Sequence, residues 1–82
     1  MQKATLSVPE TATDAQVHYI ITPAHGRMKV YRTPNDQNPM IWTGEGDAWV
    51  PMLEPRTMYY DFLPETENFK VSTLGWRDPR TP

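Results

Sequence analysis

The sequence has no cysteine, only four glycines and no long hydrophobic run. Without cysteine there is no disulfide framework, no thiolate metal site and no cysteine nucleophile. No stretch approaches the roughly eighteen apolar residues of a membrane-spanning helix, and the first residues lack the apolar region of a signal peptide. The sequence therefore predicts a chain without a membrane anchor, located in a virion if the source is viral and otherwise in the cytoplasm.

Positive charge is also in short supply. The 82 residues carry eight Lys and Arg against ten Asp and Glu, which gives a net charge of −2. A general nucleic-acid binder needs an excess of basic residues along the phosphate backbone, so the composition argues against this class.

Groups for catalysis are equally sparse. Serine occurs only at Ser7 and Ser72, both inside predicted strands, and neither is part of a Gly-x-Ser-x-Gly turn. His18 and His25 are not spaced so as to place two ligands on one face of an element. We expect no enzymatic activity, no catalytic residue, no metal and no cofactor.

Proline, in contrast, is abundant and indicates the fold class. Nine prolines are spread through the chain, and each would cost a helix interior about 3 kcal/mol. The longest proline-free stretches, 10–22 and 65–78, alternate β-branched and aromatic residues with polar ones and show no helical stripe. We predict an all-β protein.

Short strands fit between the proline- and glycine-containing turns, at 3–8, 15–22, 27–32, 40–43, 48–53, 57–63 and 69–74. Six or seven strands at this spacing are typical of a single small antiparallel β-sandwich or barrel. We expect 15–22 and 27–32 to pair as a hairpin, and Pro51 to make its strand an edge strand or to mark a bulge. The β domain covers 1–74, and 75–82 form an extended C-terminal arm.

The tryptophans are the most informative candidates for a site. Trp42 and Trp49 flank the Gly44–Asp47 turn, and a hairpin closed there would bring the two indoles onto neighbouring positions. Such a pair could pack in the core, form a protein hot spot, or stack on a sugar ring with Glu45 and Asp47 accepting hydroxyl protons. We keep a small carbohydrate-binding β module as the alternative function.

Trp76 and Arg77 lie on the predicted arm, where a large apolar side chain needs something to dock against. Together with Trp42, Trp49 and Tyr59, they are our candidate protein-interface residues.

Arg27, Lys29 and Tyr31 share one face of a predicted strand. This face could follow a phosphate backbone with one stacking ring, so a single-stranded nucleic-acid-binding small barrel is the second alternative. Charges that protect a sheet edge from aggregation explain the same pattern.

Small size raises a question of stability that also bears on function. A domain of about 80 residues rarely gains more than about 3–5 kcal/mol from its core, and this chain has no disulfide to add. Packing against a neighbour would supply the rest. We therefore predict a non-enzymatic assembly protein with protein partners, either a homo-oligomer or part of a larger assembly. The concrete hypothesis is a viral or phage particle component, such as a capsid-decorating or tail-associated subunit.

Overall fold

The structure is a computed structural model that describes residues 1–79. Over this range the chain forms seven β-strands and no helix. The strands are β1 (Gln2–Thr5), β2 (Asp14–Thr22), β3 (Arg27–Tyr31), β4 (Met40–Thr43), β5 (Glu45–Pro51), β6 (Thr57–Phe62) and β7 (Asn68–Arg77). All strand pairs are antiparallel. The prediction of an all-β fold is confirmed.

The strands form two sheets that pack as a small β-sandwich. One sheet has four strands in the order β1-β6-β3-β4, and the other has three in the order β5-β2-β7. The predicted sandwich is therefore confirmed. Pro51 ends β5, which lies at the edge of the three-stranded sheet, as its missing N–H group requires.

Alternation along the strands explains the core. Every second residue of a strand points to the same side, so each sheet turns one apolar face inward. In the three-stranded sheet these residues are Ala15, Val17, Ile21 and Val50, and in the four-stranded sheet they are Met28, Val30, Trp42 and Met58. All eight are buried. Leu6, Val8, Ala12 and Met52 from the connecting segments complete the cluster.

The hairpin predicted between residues 15–22 and 27–32 is wrong. β2 pairs with β5 and β7, whereas β3 pairs with β4 and β6. The tight turn does form, since the N–H of Gly26 donates to the carbonyl of Pro23 at 2.8 Å. Both strands carry one apolar face, and these faces are buried most fully when they oppose each other across the sandwich. The turn is therefore a corner between sheets.

The hairpin predicted around Gly44–Asp47 is wrong for the same reason. β5 begins at Glu45, directly after Gly44, and β4 and β5 belong to different sheets. Gly44 has a φ of 63°, its N–H donates to Gly26 at 3.2 Å and its carbonyl accepts from Ile21 at 2.7 Å. A single glycine thus carries the chain from one sheet to the other.

The predicted boundary at residue 75 falls inside a strand. β7 continues to Arg77, which pairs with Asp14 at the start of β2. A β-bulge lies where the register with β2 shifts between Gln16 and Val17, and Leu74 is the extra residue on β7. Gly75–Arg77 are therefore strand residues. The last three residues of the predicted arm, 80–82, lie outside the described part of the chain.

The polar loop after β3 is held by one ion pair. The carboxylate of Asp36, whose side chain is 4% exposed, accepts from Arg32 Nε at 2.7 Å and Nη2 at 2.9 Å. It also accepts from the backbone N–H of Asn38. The hydrogen bonds from Arg32 hold the pKa of Asp36 well below its usual range.

Candidate functional site

The outer side of the three-stranded sheet carries exposed apolar side chains beside charged side chains that contact one another. Alternation along each strand places its outward side chains, and we call this surface the β5–β2–β7 face. It consists of Gln16, His18 and Ile20 on β2, Glu45, Asp47 and Trp49 on β5, and Lys70, Ser72, Leu74, Gly75 and Arg77 on β7.

Trp49 and Arg77 form a cation–π contact on this face. They belong to the two edge strands and lie on either side of β2, with Gln16 opposite Trp49. The guanidinium carbon of Arg77 lies 4.2 Å from the centroid of the Trp49 ring. A cation–π contact at an exposed position contributes about 0.5–1 kcal/mol. It holds the indole, which remains 39% exposed, in a defined orientation.

His18 forms the second contact. Its Nδ1 lies 2.6 Å from Oδ1 of Asp47 and its Nε2 lies 3.0 Å from Oε2 of Glu45. Only the protonated ring can donate both hydrogen bonds. The hydrogen bond with Asp47, supported by that with Glu45, raises the pKa of His18 above 6.5. The ring lies between the two carboxylates, so they do not converge on one point.

The raised pKa predicts how stability depends on pH. The hydrogen bonds made by protonated His18 contribute fully below its unfolded pKa of 6.5, and this contribution is lost as the pH rises through the raised folded value. We expect His18→Gln to reduce the fall in melting temperature between pH 6 and pH 9. His25→Gln, in an exposed turn, is the matched control and should keep the slope of the original chain. If the melting temperatures of the original chain and of His18→Gln fell equally between pH 6 and pH 9, the prediction would be contradicted.

Trp42 lies elsewhere, in the core. It is 3% exposed and stacks on Tyr19 with ring centroids 4.4 Å apart and an interplanar angle of 8°. Because β4 and β5 do not form a hairpin, Trp42 and Trp49 project from different sheets. The predicted platform of two indoles for a sugar ring is therefore wrong, and Trp42 is not an exposed interface residue.

The remaining candidates divide between the two sheets. Trp76 is exposed on β7, but it is opposite the buried Ala15, so it points to the inner side of the sheet, away from Arg77. Tyr59 is half-buried on the four-stranded sheet, where its hydroxyl donates to Glu54 at 2.7 Å. This hydrogen bond raises the pKa of Tyr59. Three of the five predicted interface residues, Trp49, Trp76 and Arg77, thus belong to the three-stranded sheet.

The basic strand face is placed as predicted. Arg27, Lys29 and Tyr31 point outward on β3 of the four-stranded sheet. Asp61 of β6 is opposite Lys29, and its carboxylate also raises the pKa of Tyr31, after the larger effect of burial. An acidic group therefore lies within this patch and weakens its attraction for phosphate.

Several residues of the β5–β2–β7 face are missing from the predicted interface. Ile20 and Leu74 are exposed apolar side chains, and Lys70 and Gly75 are the neighbours that give the face its charge and shape. Alternation in the sequence placed Ile20 on the outward side of its strand. Alternation also places Leu74 outward, since it follows Lys70 and Ser72 at every second residue of β7.

Residues 1–79 form no pocket, and none of their His, Asp and Glu side chains group as metal ligands. Over the same range, no helix is long and apolar enough to span a bilayer. Comparison of the chain with family models, with curated proteins and with solved structures finds no match.

Proposed function

We propose that this small β-sandwich is a subunit of a protein assembly and docks through its three-stranded sheet. The observation that carries the proposal is the clustering of exposed apolar side chains. Ile20, Trp49 and Leu74 are between 39% and 53% exposed, and all three lie on the β5–β2–β7 face. Large apolar groups gathered on one side of a small domain mark an interaction surface.

The chemistry of the face favours a protein as the partner. Trp and Arg are the residue types that most often dominate binding energy at protein interfaces. Trp49 and Arg77 supply both, already in contact, so little side-chain entropy is lost when a partner covers them. The face has no pocket for a small ligand.

The concrete case that we favour is a viral or phage particle component, either a capsid-decorating or a tail-associated subunit. A short chain without cysteine that folds as a flat sandwich can cover a regular surface in many copies. Burial of the exposed sheet in the particle would then supply the stability that a core of this size does not.

Carbohydrate and nucleic acid are weaker alternatives. Of the two indoles predicted to hold a sugar ring, Trp42 is buried and only Trp49 is exposed, and Arg77 already covers part of the Trp49 ring. The basic patch on the other sheet contains Asp61. Protein binding therefore has the strongest support.

The proposal is tested on particles from the source of the chain. We expect quantitative mass spectrometry of purified particles to find the chain in many copies. Trp49→Ala and Ile20→Ala should lower its incorporation at least tenfold while the circular-dichroism spectrum stays that of the folded protein. Ile41→Ala removes an exposed apolar residue from the other sheet and should be incorporated normally. Absence of the chain from particles would overturn the particle assignment, and equal loss in all three variants would overturn the assignment of the face.

A further inference from the structure

We propose that the β5–β2–β7 face binds the same face of a second copy of this chain, related by a two-fold axis parallel to β2. The inference rests on the proposed function in one respect, namely that this face binds protein. It adds the identity of the partner and the geometry of the contact. The argument comes from how charge and shape are distributed over the three strands.

Charge on the face is divided between its two edges. Glu45 on β5 and Lys70 on β7 are both opposite Ile20 of the central strand, so they lie at the same level on opposite edges. Two strand spacings separate their backbones by ~10 Å. Rotation by 180° about an axis parallel to β2 exchanges the two edges and keeps the level. Glu45 of each copy then faces Lys70 of the other.

Shape follows the same division. Trp49, covered by Arg77, makes a ridge over β5 at the level of Gln16. At that level β7 has Gly75, where an added Cβ would reach van der Waals contact with Gln16 Oε1 at 4.0 Å. Because Gly75 has no side chain, the surface of β7 is low at this position, which we call the hollow. The same rotation places the ridge of each copy over the hollow of the other, a self-complementary arrangement typical of two-fold interfaces.

The central strand provides the contact on the axis. Ile20 is exposed in the middle of the face, and the rotation brings it against Ile20 of the second copy. His18 is the next outward residue along β2, and its ring is already held by Asp47 and Glu45 within its own copy. Its positive charge is therefore compensated, and the two rings can approach the axis without an unpaired charge.

The size of the face sets the expected strength. Three strands ~4.8 Å apart and about seven residues long give a projected area on the order of 300–400 Å² per copy. This area is at or below the low end of specific protein interfaces. We therefore expect a dimer that dissociates at micromolar or higher concentration, so association has to be measured up to ~1 mM.

The test exchanges the two charges in separate variants. In Glu45→Lys each dimer would hold two Lys–Lys contacts, and in Lys70→Glu it would hold two Glu–Glu contacts. We expect sedimentation equilibrium to show each variant alone dimerising at least tenfold more weakly than the original chain. In a mixture of the two, both contacts are again Lys–Glu. The equimolar mixture should therefore dimerise about as well as the original chain, and native mass spectrometry with one variant ¹⁵N-labelled should find the mixed dimer.

Matched variants separate the interface from changes within one chain. Lys3→Glu and Glu10→Lys make the same charge changes at exposed positions outside the face and should leave dimerisation unchanged. Gly75→Phe fills the hollow above β7, so it should abolish dimerisation while preserving the melting temperature of the monomer.

Three outcomes would overturn the inference. They are a monomer at every concentration up to ~1 mM, a dimer insensitive to the charge changes, and a mixture that stays monomeric. A monomer that still enters particles in a Trp49-dependent way would overturn the dimer and leave the proposed function standing. A charge-dependent dimer that is absent from particles would support the dimer and remove the particle assignment.

Discussion

Replacement of Trp42 by alanine is expected to unfold the protein. The indole is 3% exposed and stacks on Tyr19 across the interior of the sandwich, with ring centroids 4.4 Å apart. Truncation of a buried Trp to Ala costs about 3–5 kcal/mol, because contacts are lost and a cavity remains. That cost is comparable to the whole stability expected for a domain of this size. Urea denaturation followed by circular dichroism should show no folded baseline for this variant.

Two further variants make the Trp42 prediction specific. Trp49→Ala removes the same side chain from an exposed position and should cost less than about 1 kcal/mol beyond the lost cation–π contact. Trp42→Phe keeps a stacking ring and removes the Nε1–H, which has no hydrogen-bond partner among residues 1–79. Since burial of an unpaired donor costs about 1–3 kcal/mol, the phenylalanine variant should stay folded. Equal destabilisation by Trp42→Ala and Trp49→Ala would contradict the arrangement in two sheets.

The contrast between these tryptophans shows what the sequence can specify. Period-two alternation correctly predicted that Val17, Met28 and Val30 point inward, because that signal depends only on neighbours along one strand. Which strand lies beside which is decided by how the apolar faces cover each other. The turns at Pro23–Gly26 and at Gly44 suit a hairpin as well as a corner, so their chemistry alone could not place Trp42 in the core.

The candidate site was predictable to a similar extent. Size and charge predict Trp49, Trp76 and Arg77 as interface residues. The structure brings Trp49 and Arg77 into contact on the outer side of the three-stranded sheet and places Trp76 on its inner side. Their contacts could not be derived, because the cation–π pair joins strands that are far apart in the sequence. The match of Glu45 with Lys70 is visible only in the register, since both residues are opposite Ile20.

The connection between the sheets at Gly44 has a consequence for stability. Gly44→Ala is expected to lower the free energy of unfolding by about 1–2 kcal/mol from backbone strain, because its φ of 63° is unfavourable for a residue with a Cβ. The added Cβ would also lie 3.1 Å from the carbonyl oxygen of Ala24. A loss of this size lowers the melting temperature of a small domain by about 4–16 °C, which thermal unfolding followed by circular dichroism would measure.

The order of three glycine variants tests whether the corner is the cause. Gly44→Asn should cost less than Gly44→Ala, because asparagine tolerates the left-handed region better than other non-glycine residues. Gly75→Ala adds a Cβ at a strand position where the nearest atom would lie 4.0 Å away, so it should be close to neutral. If Gly44→Ala and Gly75→Ala had the same melting temperature, the chain would not need a left-handed residue between β4 and β5. The passage from one sheet to the other would then have to be made by a different backbone conformation.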